Sequence, residues 1–138
     1  MKKFKRIVLS ALAVVMLFCV TAAPASAATE TYSCAGKELG YTYSGSMKLE
    51  AKRVILQLET VYTGPGVILA NPTVRVSGYI SDTNGNTLSY DEIGIGNTDD
   101  IQSPVSLYFI QPVRGGTSTE AYCKFYVNGY PVAEHTLP

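Results

Sequence analysis

The sequence has no tryptophan and a single histidine, and these shortages exclude several kinds of chemistry. The usual zinc centres need three or four cysteine or histidine ligands, and His135 alone cannot complete one. A serine–histidine–aspartate set could use His135, but no G-x-S-x-G nucleophile elbow occurs. Gly94-Ile95-Gly96 lacks the third glycine and the lysine of a phosphate-binding loop. We therefore predict a protein that is not an enzyme, binds no cofactor or metal, and carries His135 as a surface residue.

Basic residues are concentrated at the N-terminus. Lys2, Lys3, Lys5 and Arg6 make up four of the eleven basic residues of the chain. An apolar run follows them and ends in the small-x-small motif Ala25-Ser26-Ala27. This order predicts a cleaved signal peptide over residues 1–27 and a secreted, extracellular protein. A transmembrane anchor is the alternative, but the run is short for a span of roughly 20 residues.

Loss of the signal peptide changes the charge balance. Seven basic and eleven acidic residues remain, so the net charge falls from zero to about −4. Nucleic acids and anionic membranes favour a basic face, and the acidic balance argues against both as partners. No internal repeat and no Pro- or Ser-rich linker divides the remainder. We predict one monomeric domain over residues 28–138, with no stable membrane span after cleavage.

The cysteines are few, and their number depends on cleavage. Cys19 lies inside the apolar run and is removed with it, which leaves Cys34 and Cys123. Export places this pair in an oxidising compartment, so the even count predicts a Cys34–Cys123 disulfide that tethers the two ends of the chain. The chain-entropy model gives such a bridge about 4–5 kcal/mol. Two buried free thiols, or pairing between chains, are the alternatives.

The clearest structural signal is a β-hairpin near the C-terminus. Residues 121–127 alternate apolar and polar side chains, as a strand with one buried face does. Asn128-Gly129 follows at once, and this pair tolerates the two positive φ angles of a type I′ turn. The turn predicts that Phe125 lies opposite Val132. Pro131 lacks an N–H group, so we expect the last strand to lie at the edge of its sheet.

Similar alternation over residues 74–80 and 105–110 indicates further strands, and turn residues recur between them. We expect about seven to nine short strands, which predicts an all-β fold: a small antiparallel β-sandwich of the immunoglobulin-like type. The absence of tryptophan removes the Cys…Trp…Cys arrangement of antibody domains. The predicted disulfide would join the first and penultimate strands of this sandwich.

Two segments are less clear. Met47 to Tyr62 has apolar residues at helical spacing and also alternates, so we predict strands with a turn near residues 50–52 and keep a lone helix as the alternative. Val67-Ile68-Leu69 is apolar, so we expect it to be buried at the exit of the Gly64-Pro65-Gly66 loop.

Tyrosine is abundant, with ten in the chain. A rigid aromatic ring with a hydroxyl offers contact area at little entropic cost, which favours tyrosine at binding surfaces. An alternative is that tyrosine simply suits half-exposed strand positions. We place most of six tyrosines on polar strand faces: Tyr41, Tyr43, Tyr79, Tyr108, Tyr122 and Tyr126. The predicted ligand-binding residues among them are Tyr79, Tyr108, Tyr122 and Tyr126.

Acidic residues form two groups. Asp82-x-Asn84-x-Asn86 has the oxygen alternation of a calcium loop, but Gly85 is misplaced and no glutamate follows at the required distance. A hairpin turn with polar tips explains the same residues. The second group is expected to be a solvated acidic loop: Asp91, Glu92, Asp99 and Asp100.

These observations predict a small exported, non-enzymatic binding module that contacts a glycan or a protein at the cell surface through its tyrosines. The alternative is a secreted effector, such as a bacteriocin-like toxin or a protease inhibitor. A rigid protruding loop with apolar tips, at residues 64–66 or 91–103, would favour the effector. A hydrolase is the weakest hypothesis, because it needs two carboxylates facing each other across about 5–10 Å.

Overall fold

Eight β-strands make up the protein in the computed structural model, which describes residues 29–97 and 103–138. This part of the chain contains no helix, and therefore none long and apolar enough to cross a membrane. The predicted signal peptide lies outside the described residues, as do Asp99 and Asp100. The strands are β1 (Glu30–Glu38), β2 (Tyr41–Leu49), β3 (Arg53–Tyr62), β4 (Thr73–Asp82), β5 (Thr87–Ile95), β6 (Val105–Pro112), β7 (Ser118–Val127) and β8 (Tyr130–Leu137).

The strands form two antiparallel sheets of four. The first sheet has the order β1-β2-β3-β6, and the second sheet has the order β5-β4-β7-β8. The sheets pack face to face in a sandwich-like arrangement, with β1 against β8 and β2 against β7. The all-β fold is therefore confirmed. The immunoglobulin-like type is not, because constant-type immunoglobulin sheets have the order A-B-E-D and C-F-G.

The core lies between the two sheets and is filled by every second residue of the central strands. In β3, every second residue from Val54 to Thr60 is buried, whereas Gln57 and Glu59 between them are exposed. Burial of each large apolar side chain contributes about 1.5–3 kcal/mol. The side chains with least exposure include Met47, Leu56, Leu58, Val74, Val76, Ile80 and Phe125.

The segment Met47 to Tyr62 contains the end of β2, a tight turn and all of β3, as the strand prediction required. The turn is closed by the Glu50 N–H group, which donates to the Arg53 carbonyl at 2.8 Å. The Glu50 side chain also pairs with Arg53 and Lys48. The period of two decides the structure here because it places every buried residue of β3 on one face.

The β7–β8 hairpin has the predicted turn, with φ of 52° at Asn128 and 86° at Gly129. Strand β8 lies at an edge of the second sheet, which confirms that prediction. The register prediction was wrong in one place. Phe125 lies opposite Ala133, not Val132, because a β-bulge shifts the register between Phe125 and the next residue. A bulge adds one residue to one strand and so moves every later pair by one.

A glycine in the second sheet makes room for a buried tyrosine. Gly78 of β4 pairs with Tyr90 of β5 on one side and with Cys123 of β7 on the other. The Tyr90 hydroxyl donates to the Tyr122 carbonyl at 2.6 Å. A Cβ atom at Gly78 would overlap that same carbonyl oxygen. Burial raises the pKa of Tyr90 well above its ordinary value.

The predicted Cys34–Cys123 disulfide is absent from the structure, in which both residues are free thiols. Cys34 lies in β1, which packs against β8, whereas Cys123 lies in β7, which packs against β2. The Cys34 sulfur lies beside Gly45 of the neighbouring strand and near the Phe125 ring. The Cys123 thiol contacts the Lys124 carbonyl oxygen at 3.7 Å. Burial raises the pKa of both thiols, that of Cys123 to about 12.

Candidate binding surfaces

The four tyrosines predicted to bind a ligand are divided between the two outer faces of the sandwich. Tyr79, Tyr122 and Tyr126 lie on the outer face of the second sheet, because their neighbours in sequence are the core residues of β4 and β7. Tyr108 lies on the outer face of the first sheet, in β6. The structure thus brings three of the four together and separates the fourth.

We call the outer surface formed by Tyr79, Tyr122 and Tyr126, together with Arg75 and Lys124, the tyrosine face. Tyr79 and Tyr122 are direct cross-strand partners, and their rings stack with centroids 5.6 Å apart at 25°. Such pairs contribute about 0.5–1.5 kcal/mol beyond the area they bury. Stacking thus holds two rings of the tyrosine face against each other.

A hydrogen bond links one of these two rings to the edge strand β8. The Tyr122 hydroxyl donates to Glu134 of β8 at 3.0 Å. Partial desolvation and this nearby carboxylate both raise the pKa of Tyr122.

Two cationic side chains lie close to the third ring of the tyrosine face, that of Tyr126. The Arg75 guanidinium lies 4.8 Å from the centroid of the Tyr126 ring, and the Lys124 ammonium lies 5.7 Å from it. Arg75 also donates two hydrogen bonds of 2.7 Å to Asp91. The paired guanidinium lowers the pKa of Asp91 below its ordinary value. Each ring of this face is therefore held by a neighbour before any partner arrives.

Tyr41 and Tyr43 are the two of the six tyrosines that do not lie on an outer face. Both lie on the core-facing side of β2, in step with Met47. Tyr41 is only 3% exposed, and its hydroxyl accepts a hydrogen bond from the Leu69 N–H group at 3.0 Å. Tyr43 is half-buried. A buried tyrosine needs a partner for its hydroxyl, and the loop after β3 supplies one for Tyr41.

The outer face of the first sheet contains a shallow depression of about 320 Å³. Short side chains on β2 and β6 leave this space, while Tyr108 rises at one side of it. The depression was not predicted from the sequence. The available signal is the short hydroxyl-bearing side chains at the outward positions of β2, because short side chains leave space above a sheet. We call it the serine trough, and its outward side chains are Ser44, Ser46, Gln57, Glu59, Ser106 and Tyr108.

The polar groups of the serine trough are weakly engaged. Ser46 donates to the Gln57 side-chain oxygen and Ser106 donates to a Glu59 carboxylate oxygen, each at 3.3 Å. The Tyr108 side chain is 59% exposed. The lining includes no lysine or arginine among the described residues. The trough therefore offers hydroxyls, an amide, one carboxylate and a free ring face.

The connection between β3 and β4 is apolar and exposed, so the prediction that Val67-Ile68-Leu69 is buried was wrong. Val67 is 72% exposed and Ile68 is 46% exposed. We call residues 63–72 the apolar loop. Its backbone is held against the β1–β2 turn, because the Thr63 and Gly64 N–H groups both donate to the Gly40 carbonyl.

A second set of contacts holds the apolar loop from within. The Tyr62 hydroxyl donates to the Gly66 carbonyl at 2.9 Å. With Leu39 and Tyr130, the loop lines a cavity of about 390 Å³ at one end of the sandwich. These contacts hold the loop's backbone in place, while the Val67 and Ile68 side chains remain exposed.

Asp82 organises the turn in which a calcium loop was weighed. Its carboxylate accepts hydrogen bonds from the N–H groups of Asn84, Asn86 and Gly115, at 2.9–3.1 Å. Desolvation opposes ionisation of Asp82, but these donors outweigh it and lower its pKa. The turn thus uses the carboxylate internally. The described residues contain no group of three or more His, Cys, Asp or Glu side chains that could hold a metal.

His135 lies on the exposed surface of β8, where it stacks on Tyr32 of β1. The ring centroids are 4.1 Å apart and the planes differ by 5°. The pair covers the side of the sandwich between two edge strands.

The fold and its surfaces define the protein in outline as a small all-β protein with tyrosine on both outer faces. Comparison of the chain with protein-family models, with curated proteins and with solved structures finds no match.

Proposed function

We propose that this protein is a small exported, non-enzymatic binding module, and that a protein at the cell surface docks on its tyrosine face. The observation that carries the proposal is the convergence of Tyr79, Tyr122 and Tyr126 on one side of one sheet. Export is supported by the signal-peptide pattern of residues 1–27.

The character of the tyrosine face favours a protein over a glycan as its partner. Tyrosine and arginine are enriched at the energetic centres of protein interfaces. Stacking and ion pairing already restrain Tyr122 and Arg75, so less side-chain entropy is lost on docking. The mixture of positive and negative charges suits a partner whose own charges are mixed.

Binding of the exported protein to cells, a protein array and a glycan array tests this function. Tyr122→Ala and Tyr126→Ala should each weaken binding about tenfold or more, since each removes a central aromatic contact. Tyr108→Ala is the matched control, because it removes an exposed tyrosine from the other sheet. The proposal fails if neither tyrosine-face variant alters any detected protein contact, or if the control weakens the same protein contact as much.

The second candidate function is a secreted effector, such as a bacteriocin-like toxin or a protease inhibitor. The apolar loop favours it, because exposed Val67 and Ile68 are presented on a hydrogen-bonded backbone. In growth-inhibition and protease-inhibition assays, V67S and I68S should abolish an effector's activity, while Tyr126→Ala should leave it unchanged. Full activity in both loop variants would exclude a role for the loop.

A further inference from the structure

We propose that the serine trough is a second binding site, which takes a neutral oligosaccharide with one sugar ring stacked on Tyr108. The trough lies on the opposite sheet from the tyrosine face, so this site stands or falls independently of the protein partner proposed above.

The trough has the dimensions of a short saccharide segment. Ser46, Gln57 and Tyr108 form one row across β2, β3 and β6. Neighbouring strands lie about 4.8 Å apart, so the row spans about 10 Å, which suits two pyranose rings. A parallel row of Ser44, Glu59 and Ser106 lies two residues along the strands. The volume of about 320 Å³ agrees with an occupant of this size.

The chemical groups of the trough match those of a sugar. Serine hydroxyls both donate and accept hydrogen bonds, the Gln57 amide does both through separate atoms, and the Glu59 carboxylate accepts. Sugar hydroxyls need such a mixture. The two internal hydrogen bonds of the trough are long, at 3.3 Å, so sugar hydroxyls exchange for them at little cost.

The ring of Tyr108 provides the apolar half of the site. Sugars present C–H groups on the faces of their rings, and an aromatic face packs against such a surface. Tyr108 is suited to this because 59% of its surface is exposed and its ring forms no aromatic pair with the described residues. By contrast, Tyr79 and Tyr122 already stack on each other.

Charge selects a neutral saccharide over an acidic one. Glu59 is the ionisable carboxylate in the trough, and it repels sulfate, phosphate or uronate groups. On the same sheet face, Lys48 and Arg53 both pair with Glu50 at 3.3 and 2.7 Å, and Lys37 of β1 lies outside the lining of the trough. An anionic sugar would therefore find no available positive charge inside the trough.

The test is a titration of the ¹⁵N-labelled protein with three neutral hexasaccharides, cellohexaose, maltohexaose and hexa-N-acetylchitohexaose, and with oligogalacturonate as the acidic probe. At least one neutral probe should shift the amide signals of residues 44–46, 57–59 and 106–108. Tyr108→Ala should weaken that binding about tenfold, as expected for loss of an aromatic stacking contact. Gln57→Leu should weaken it as well, and it provides a second variant if Tyr108→Ala does not fold.

Tyr126→Ala is the matched control, since it removes a tyrosine from the other sheet and should leave saccharide binding unchanged. The proposal is overturned if no neutral probe shifts those amides at millimolar concentrations. It is equally overturned if the shifts map to the tyrosine face, or if oligogalacturonate binds more tightly than every neutral probe. If the titration fails but a Tyr126-dependent protein contact is found, the saccharide site is excluded and the proposed function is retained.

Discussion

The two sheets have the same number of strands but use their outer faces differently. In the serine trough, the first sheet presents short hydroxyl-bearing side chains beside Tyr108, and the hydrogen bonds among its side chains are long, at 3.3 Å. The second sheet presents rings and charges that are linked by stacking, ion pairs and hydrogen bonds, as with Tyr122 and Arg75. A face with weak internal contacts suits a small polar ligand, whereas a pre-ordered aromatic face suits a large partner.

The inner faces differ as well, and two glycines show how. Gly45 of the first sheet and Gly78 of the second both point into the core from a central strand. A Cβ atom at Gly45 would meet the ends of side chains at 3.1–3.2 Å, among them Leu58 and Phe125. A Cβ atom at Gly78 would meet the backbone of β7. Side-chain ends can move aside, but a hydrogen-bonded strand cannot.

The largest expected effect follows from this difference. Gly78→Ala should prevent folding or cost about 4 kcal/mol, because it pushes on the Tyr122 carbonyl and displaces the Tyr90 hydroxyl. Gly45→Ala is the matched control and should cost about 1–2 kcal/mol. Urea unfolding of both variants measures the difference. Equal stability of the two variants would mean that the second sheet accommodates an added Cβ atom as easily as the first.

The two thiols provide a second comparison. A pKa of about 12 for Cys123, against an ordinary value of 9.0, reduces its thiolate fraction about a thousandfold. Cys34 is less buried, and its pKa is raised by burial as well. Iodoacetamide should therefore label Cys34 of the folded, unreduced protein before it labels Cys123.

Peptide mass mapping over time reads out this order, and urea provides the control, because both thiols should react quickly once the chain unfolds. Faster labelling of Cys123 than of Cys34 would show that the second sheet opens more readily than its burial indicates. If the unfolded, unreduced protein takes up no label at all, the two sulfurs are oxidised to the disulfide expected from the sequence.

How much the sequence could predict also differs between features. Strand positions follow from the alternation of side chains, which is local, and so β3 and the β7–β8 turn were predictable. The bulge after Phe125 and the outward position of Val67 depend on neighbours distant in sequence, such as Gly40, which binds the backbone of the apolar loop. Local patterns carry no information about such contacts.

The same limit applies to the candidate sites. The tyrosine face could be anticipated, because Tyr79, Tyr122 and Tyr126 lie at outward positions of their strands. That β4 and β7 are neighbours could not, since their pairing joins segments about forty residues apart. The serine trough was missed because its members come from three strands and none of them is unusual alone. Its recognition required the register that sets Gln57 beside Tyr108.

The smallest expected effect concerns two aspartates, one at the end of β4 and one that pairs with Arg75 of the tyrosine face. Asp82 binds the backbone of its own turn and of the β6–β7 connection, whereas Asp91 pairs with Arg75. Both have pKa values below the ordinary value. Each carboxylate therefore stabilises the fold above its unfolded pKa, near 4, and this contribution is lost as the pH falls through the folded value.

Asp82→Asn and Asp91→Asn should each lower Tm at neutral pH, and these Tm differences should shrink as the pH falls below about 4 and the wild-type carboxylates become protonated. Salt separates them. The exposed Asp91–Arg75 pair is screened, so the Tm difference for Asp91→Asn should shrink in about 1 M NaCl. The Asp82 carboxylate is buried and held by backbone N–H groups, so the Tm difference for Asp82→Asn should persist. Equal salt sensitivity in the two variants would contradict this prediction. It would mean that salt screens the interactions of the Asp82 carboxylate as strongly as it screens the exposed Asp91–Arg75 pair.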